Sequence, residues 1–320
     1  MRLLLMLLMA CSHDNMLTYE KIVEKEVYVE VESEAEIVVE EIIVVEDTAI
    51  DLTDIWVDSF NQPAALDGVD IFWIIDPSGS MNDDQANIVA GITDMMSNLP
   101  IAGWRLMILP TDMNAASVTG STDFPIVPGD TITDVEDMYT RNVSGMREAG
   151  FDAVYEYIMF NPYASTWLRH DAAMLVVFVS DEEEQSTTYF SDHYDFMFWL
   201  KSYRTNSFVA SIVNLPPAES ECNYTDMNTG DRYIDVTNYF GGQVIDICTE
   251  DWSAGVTDAS EQVTPYEWYD LTEIPLDSDY IFVFINGALN YDWHYVEAEN
   301  RVYFDIIPPA NSLVEIAYNY

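Results

Sequence analysis

Asp76-Pro77-Ser78-Gly79-Ser80 places a carboxylate and two hydroxyls at alternate positions of a loop that Pro and Gly open. Oxygen donors on a tight loop suit a hard divalent cation, Mg²⁺ first, with Mn²⁺ or Ca²⁺ as alternatives. A second acidic set, Asp181-Glu182-Glu183-Glu184-Gln185-Ser186, lies about a hundred residues on. The competing reading of the first set is a turn in which Ser78 or Ser80 caps a helix. For residues 182–184 the competing reading is a solvated acidic loop.

Both sets need elements that carry them to one place. Residues 69–75 and 172–180 are continuous apolar runs, as in strands buried on both faces, and each run leads into one set. A helix is predicted over 83–98, so the first loop lies between a strand end and a helix N-terminus. Further strands are predicted over 104–109, 208–214 and 242–248, and further helices over 148–160, 191–204 and 231–239. This alternation, from about 55 to 263, predicts an α/β fold: a doubly wound, mostly parallel sheet. The loop over 111–130 follows a strand on its carboxyl side, where such folds bind ligands.

The D-x-S-x-S arrangement after a buried strand resembles the metal-ion-dependent adhesion site of von Willebrand factor A (VWA) domains. That resemblance implies a VWA/Rossmann-like fold. It implies that Ser78 and Ser80 bind the metal directly, and that Asp76 does so directly or through water. Asp181, at the end of the second buried strand, matches the family's distal metal-binding aspartate. Neutral hydroxyls would leave the cation electrophilic, so a protein ligand offering a carboxylate is the implied partner. A wider pattern, Val179-Ser180-Asp181-Glu182-Glu183 with Cys222, Arg232-Tyr233, Gly241-Gly242, Cys248 and Asp251-Trp252, is similar to bacterial VWA-domain lipoproteins over roughly residues 65–255. There is one departure. VWA sites take a threonine from an intermediate loop, and the matching stretch here, Asn142-Val143-Ser144-Gly145-Met146-Arg147-Glu148-Ala149-Gly150, contains none. Met146 falls near that place, and a thioether is a poor Mg²⁺ ligand. Ser144 and Glu148 are the additional candidate ligands, with Thr140 or Asp152 as further substitutes.

Composition narrows the function classes. The chain has 320 residues, 57 acidic against 11 basic, for a net charge of −46. Phosphate contacts need Lys and Arg, so a nucleic acid partner is excluded, and so is docking on anionic lipid heads. Four histidines, His13, His170, His193 and His294, form no ligand-spaced set, and no nucleophile–base pair or phosphate-cradling loop is visible, so no enzyme is expected.

The N-terminus reads as an address. Met1-Arg2, a short apolar stretch and Ala10 before Cys11 fit a signal peptide rather than a membrane span. Leu8-Met9-Ala10-Cys11 resembles a bacterial lipobox, which implies cleavage before Cys11 and lipid on its sulfur. The protein is then exported and held at the outer membrane or cell surface by that lipid alone. In an exported chain the remaining two cysteines, Cys222 and Cys248, invite a disulfide, with two buried thiols as the alternative.

The expected organisation is a signal peptide and lipobox cysteine over 1–11, an acidic extended stalk over 12–54, a VWA-like domain over 55–264 and a small antiparallel β-module over 265–320. The stalk reading rests on apolar and acidic residues that partly alternate between 27 and 45. The leading functional expectation is a surface-tethered lipoprotein for cation-dependent protein binding or adhesion. The alternative is a structural envelope or virion-associated scaffold with a degenerate metal site.

Overall fold

The computed structural model describes residues 16–25, 42–51, 55–63, 68–99, 103–120, 125–221 and 228–320. Cys11 and Cys222 lie outside them, and with them the lipidation and disulfide expectations. No helix among the described residues is long and apolar enough to cross a membrane.

Strands β1 (Met16–Lys25) and β2 (Ile42–Asp51) pair antiparallel, from Met16 opposite Asp51 to Lys25 opposite Ile42. Over these residues the segment is a paired two-stranded ribbon, in which the backbone groups on the facing edges of the two strands satisfy one another.

The main body is a five-stranded, wholly parallel sheet. Its strands are β4 (Val69–Ile75), β5 (Trp104–Pro110), β6 (Ala173–Ser180), β7 (Ser207–Val213) and β8 (Val244–Asp246), in the order β5-β4-β6-β7-β8. Every residue of β4 and β6 is buried, because helices cover both faces. Alternation along β4 shows the two layers. Trp73 packs on α1 (Gln85–Asn98), where Gly91 leaves its indole only 3.2 Å from the place a Cβ would occupy. Phe72, on the other face, meets Tyr157 of α4 (Gly150–Phe160) edge-on at 5.8 Å. On β6, Phe178 packs against Phe151, against Phe196 of α6 (His193–Tyr203) and against Tyr233 of α7 (Asp231–Tyr239). Each such side chain contributes about 1.5–3 kcal/mol through removal from water. The doubly wound α/β fold is therefore the one expected.

Four helices lie outside the predicted set, one of them the single turn α5 (Ala164–Trp167) that follows α4. Between β5 and α4 stand the short helix α2 (Met113–Ala116) and α3 (Ile132–Asn142). α3 opens on a capping box between Thr131 and Asp134. α8 (Ser253–Glu261) packs on α1, with Asn98 Nδ2 donating to Thr257 Oγ1 at 2.9 Å. The loop over 111–130 does follow β5 at its carboxyl end, and within it Ile126 returns along β5 and exchanges backbone hydrogen bonds with Leu106. That bridge pairs one residue of the outer edge of the sheet.

The C-terminal module is antiparallel and has a separate core. β10 (Phe282–Ile285) and β11 (Ala288–Asn290) form a hairpin. Its two turn residues, Asn286 at φ 51° and Gly287 at φ 75°, adopt the left-handed backbone that such turns require. β9 (Trp268–Asp270), β12 (Trp293–Val296) and β13 (Arg301–Phe304) make a three-stranded sheet, while β14 (Leu313–Asn319) joins the hairpin. The boundary at 55 needs correction. β3 (Ile55–Asn61) pairs along its whole length with β14, so the strand before the α/β body belongs to the β-module. Asp58 fixes it there, accepting from Thr272 N and Oγ1, Tyr318 OH and Trp56 Nε1. Burial alone would raise the Asp58 carboxyl, but these donors outweigh it and hold it below its ordinary value.

Candidate metal centre at the crown of the parallel sheet

β4 is the first strand of the sheet, and its two neighbours, β5 and β6, leave in opposite directions. The crevice beyond the carboxyl ends of β4 and β6 is thus the point where the winding reverses, the usual ligand position of an open α/β sheet. Register brings Ile75 opposite Val179, so the loops after them start side by side. Asp76 N donates to Val179 O at 2.9 Å and closes the pairing.

A relay of hydrogen bonds joins the two loops. Asp76 Oδ1 accepts Ser78 N at 2.8 Å, which folds the loop back on itself. Ser78 Oγ and Ser80 Oγ lie 2.9 Å apart, and Ser80 Oγ donates to Asp181 Oδ1 at 3.2 Å. The structure thus brings Asp76, Ser78, Ser80 and Asp181 together. Ser80 is exposed, Ser78 and Asp181 are half-buried, and Asp76 is fully buried. Its second oxygen, Oδ2, accepts Ser180 Oγ at 2.7 Å. The aspartate therefore shapes the crown from beneath, which fits action on an ion through water better than direct ligation.

The surrounding charge is all of one sign. The Asp181 carboxyl is raised by burial and by the charges of Asp76 and Asp83. Asp84 is pushed up to about 6 by burial and by Asp83 and Asp181. Glu148 and Glu182 are raised by burial and then by neighbours that include Asp76 and Asp181. Among the described residues no Lys or Arg forms an ion pair with any of these groups. Nor do three or more His, Cys, Asp or Glu side chains among those residues gather as a metal cage. The set is mixed: hydroxyls and one carboxylate at its centre, further carboxylates around it. That donor chemistry fits a hard cation, which Ser78, Ser80 and Asp181 would hold.

The remaining candidates separate clearly. Glu148 faces the cluster electrostatically, whereas Ser144 lies in an exposed part of the loop. Met146 is 85% exposed, and its amide donates to Asp112 Oδ2 at 3.1 Å. Gly145, at φ 128°, allows this approach, because a Cβ there would come within 2.4 Å of the Asp112 side chain. The nearby hydroxyl of Thr111 is buried and donates to Arg147 O at 2.8 Å, so it does not stand in for the missing threonine. Asp152 cannot reach the site. Both its oxygens are occupied by the amides of Thr187, Thr188, Tyr189 and Phe190.

Glu183 and Glu184 are not part of a solvated acidic loop, whereas Glu182 stays partly exposed. Glu184 is buried, ion-paired to Arg232 Nη1 at 2.9 Å, and accepts Phe151 N and Ser186 N at 3.3 and 3.0 Å. Glu183 accepts the amides of Asp231 and Arg232 at the start of α7, where the helix dipole favours negative charge. Sequence reasoning missed these partners because they come from α4 and α7, distant in sequence. It also passed over Asp83 and Asp84 as members of the site, although they stand only three and four residues after Ser80.

No protein-family model matches the chain, and no curated protein matches it. Similar solved structures include proximal thread matrix protein 1 from the mussel byssus, at 10% identity and TM-score 0.39 over 64% of this chain and 47% of that one. A form of that protein with a zinc-occupied MIDAS motif matches at 11% identity and TM-score 0.38, over 65% and 47%. The pilus adhesin SpaC from Lactobacillus rhamnosus GG matches at 9% identity and TM-score 0.39, over 83% and 41%. The chain spans less than half the length of each of these structures. Likenesses at TM-scores this low carry no argument about its function.

Proposed function

We propose that this chain is a surface-tethered binding protein of VWA type whose crown takes up a divalent cation and, through it, a carboxylate of a partner protein. The observation that supports this reading is the relay from Ser78 to Ser80 to Asp181, set among carboxylates that no basic side chain of the described residues neutralises. A cation bound there supplies the missing positive charge, and hydroxyl ligands leave it able to attract one more anionic oxygen. The protein's own residues do the rest. Asp76 fixes the loop, Ser180 fixes Asp76, and the N-terminal end of α1 directs its amide dipoles toward the crown.

The test is retention of the full chain on a carboxylate-bearing resin at physiological ionic strength. A chain of charge −46 is repelled by such a matrix. Retention in Mg²⁺, release by chelator, and loss of both in Ser78→Ala/Ser80→Ala support the reading. Passage of the wild type in Mg²⁺, or equal retention of the variant, overturns it. Export and lipid attachment at Cys11 belong to the same proposal. An unmodified Cys11 in the intact mass of membrane-purified protein contradicts that part.

One observation favours a second reading, a scaffold with a degenerate site: the loop that carries Met146 offers the crown no threonine hydroxyl.

A further inference from the structure

The three-stranded sheet of the C-terminal module turns one face outward. Register places His294 of β12 opposite Tyr303 of β13, and Tyr303 opposite Trp268 of β9, so the three rings form one cross-strand row. Alternation along β13 sends Val302 and Phe304 inward, leaving Arg301 and Tyr303 on the same outer face. Trp268 is 43% exposed. The His294 and Tyr303 rings are nearly parallel, 10° apart with centroids at 5.4 Å, and Tyr303 lies 5.9 Å from Trp268.

Aromatic cross-strand neighbours stabilise a sheet by themselves, so the row alone is not a site. Its polar surroundings go further. His294 Nδ1 pairs with Asp305 Oδ1 at 2.7 Å, and Tyr303 OH donates to Glu299 Oε2 at 2.5 Å. The Arg301 guanidinium stands 5.3 Å from the Trp268 ring centre and is ion-paired to Asp270. Every ring is thus oriented by a charged group, which lowers the cost of ordering it on binding. Beside the row a cleft of about 480 Å³ is lined by His294 and Tyr303 together with Glu267, Asp305 and Ile306.

Charge chooses among occupants. Glu267, Asp270, Glu299 and Asp305 surround the rings on a chain of net charge −46, which disfavours phosphate or sulfate polymers. An apolar helix wants a continuous aliphatic stripe, and here it would strip water from ion pairs without replacing it. A neutral sugar chain meets both conditions. Its C–H faces stack on aromatic rings, while its hydroxyls donate to carboxylates and accept from a guanidinium. Two strand spacings of about 4.8 Å each span two consecutive sugar rings.

We propose that this face is a binding site for a neutral glycan, stacked on Trp268, Tyr303 and His294 and hydrogen-bonded to Glu267, Asp305 and Arg301. It is independent of the metal centre. The full chain is run in chelator through native gels containing β-glucan, xylan, mannan or dextran, one per gel. At least one polysaccharide should retard the wild type and Ser78→Ala/Ser80→Ala alike. Trp268→Ala/Tyr303→Ala should bind that polysaccharide at least about tenfold more weakly. Trp268→Phe keeps a ring on the same backbone and should retain part of the retardation, which separates loss of the platform from loss of the fold. Unretarded wild type in all four gels, retardation unchanged in the double alanine variant, or retardation only by a polyanion such as heparin overturns the proposal.

Discussion

β4 carries an aspartate near each of its ends, and the two are treated in opposite ways. Asp70, near the amino end, is fully buried and compensated from within: Arg169 gives it a backbone amide at 2.8 Å and its Nε at 2.9 Å, pairs with it through Nη2 at 2.8 Å, and also donates to Gly103 O and Val69 O. Asp76, just past the carboxyl end, is equally buried but receives only an amide and a hydroxyl. The carboxylates beside it repel one another. One end is a closed pair, in which burial still raises the Asp70 carboxyl against the pull of Arg169. At the other end negative charge is held together without a counter-charge among the described residues, an arrangement that a bound cation would complete.

Removing the internal counter-charge should therefore have the largest effect. Arg169→Ala leaves Asp70 buried and unpaired, and should lower unfolding free energy by about 3–5 kcal/mol. Chemical denaturation reads this, and cation uptake by the folded fraction should be unchanged. A comparable loss in Ser78→Ala/Ser80→Ala would erase the contrast between the two ends.

Asp181→Asn should do the reverse. In chelator the variant should be no less stable than the wild type, because it relieves repulsion from Asp76 and Asp83. In Mg²⁺ at tenfold over its dissociation constant, the wild type should gain about 1.4 kcal/mol that the variant does not. Thermal melts with and without the ion decide this.

A pH series sharpens the same contrast through Glu184, the acid with its own arginine. Burial pushes its carboxyl up to about 7, against the pull of Arg232 and of donors from Ser186 and Phe151. The folded value lies above the ordinary glutamate value of about 4.3. Its stabilising contribution is therefore complete below that ordinary value and is lost as pH rises towards 7. Melting in chelator should show this decline, and Glu184→Gln should flatten it.

The smallest effect on stability is expected at Met146. The side chain is 85% exposed, so Met146→Thr should change stability by no more than about 0.5 kcal/mol. If the absent hydroxyl limits the site, calorimetry should show tighter Mg²⁺ binding by this variant.

Much of the parallel sheet was legible because its signals are local. The runs 69–75 and 172–180 carry no polar interruption except Asp70 and the residues at their ends, and such runs fit strands covered on both sides. The serine loop was legible for the same reason, since five consecutive residues contain it. What escaped depends on partners distant in the chain. β3 finds its partner more than 250 residues away in β14, so nothing near 55 signals that it leaves the α/β body. Residues 182–184 look like a hydrated acidic run, yet α4 and α7 bury one glutamate and turn another into a helix cap. α3 was missed because only Val135 and Met138 of its hydrophobic residues are buried, a stripe too thin to stand out among acidic and polar neighbours.

The central claim is that the crown binds a divalent cation through Ser78, Ser80 and Asp181. Isothermal titration of Mg²⁺ or Mn²⁺ into the full chain, beside Ser78→Ala/Ser80→Ala, tests it most directly, because the double variant removes ligands without altering net charge. The account predicts saturable uptake at one site by the wild type in the millimolar range or below, and only weak, non-saturating heats from the variant. Indistinguishable titrations of the two proteins, or no uptake by the wild type at millimolar ion, would contradict it.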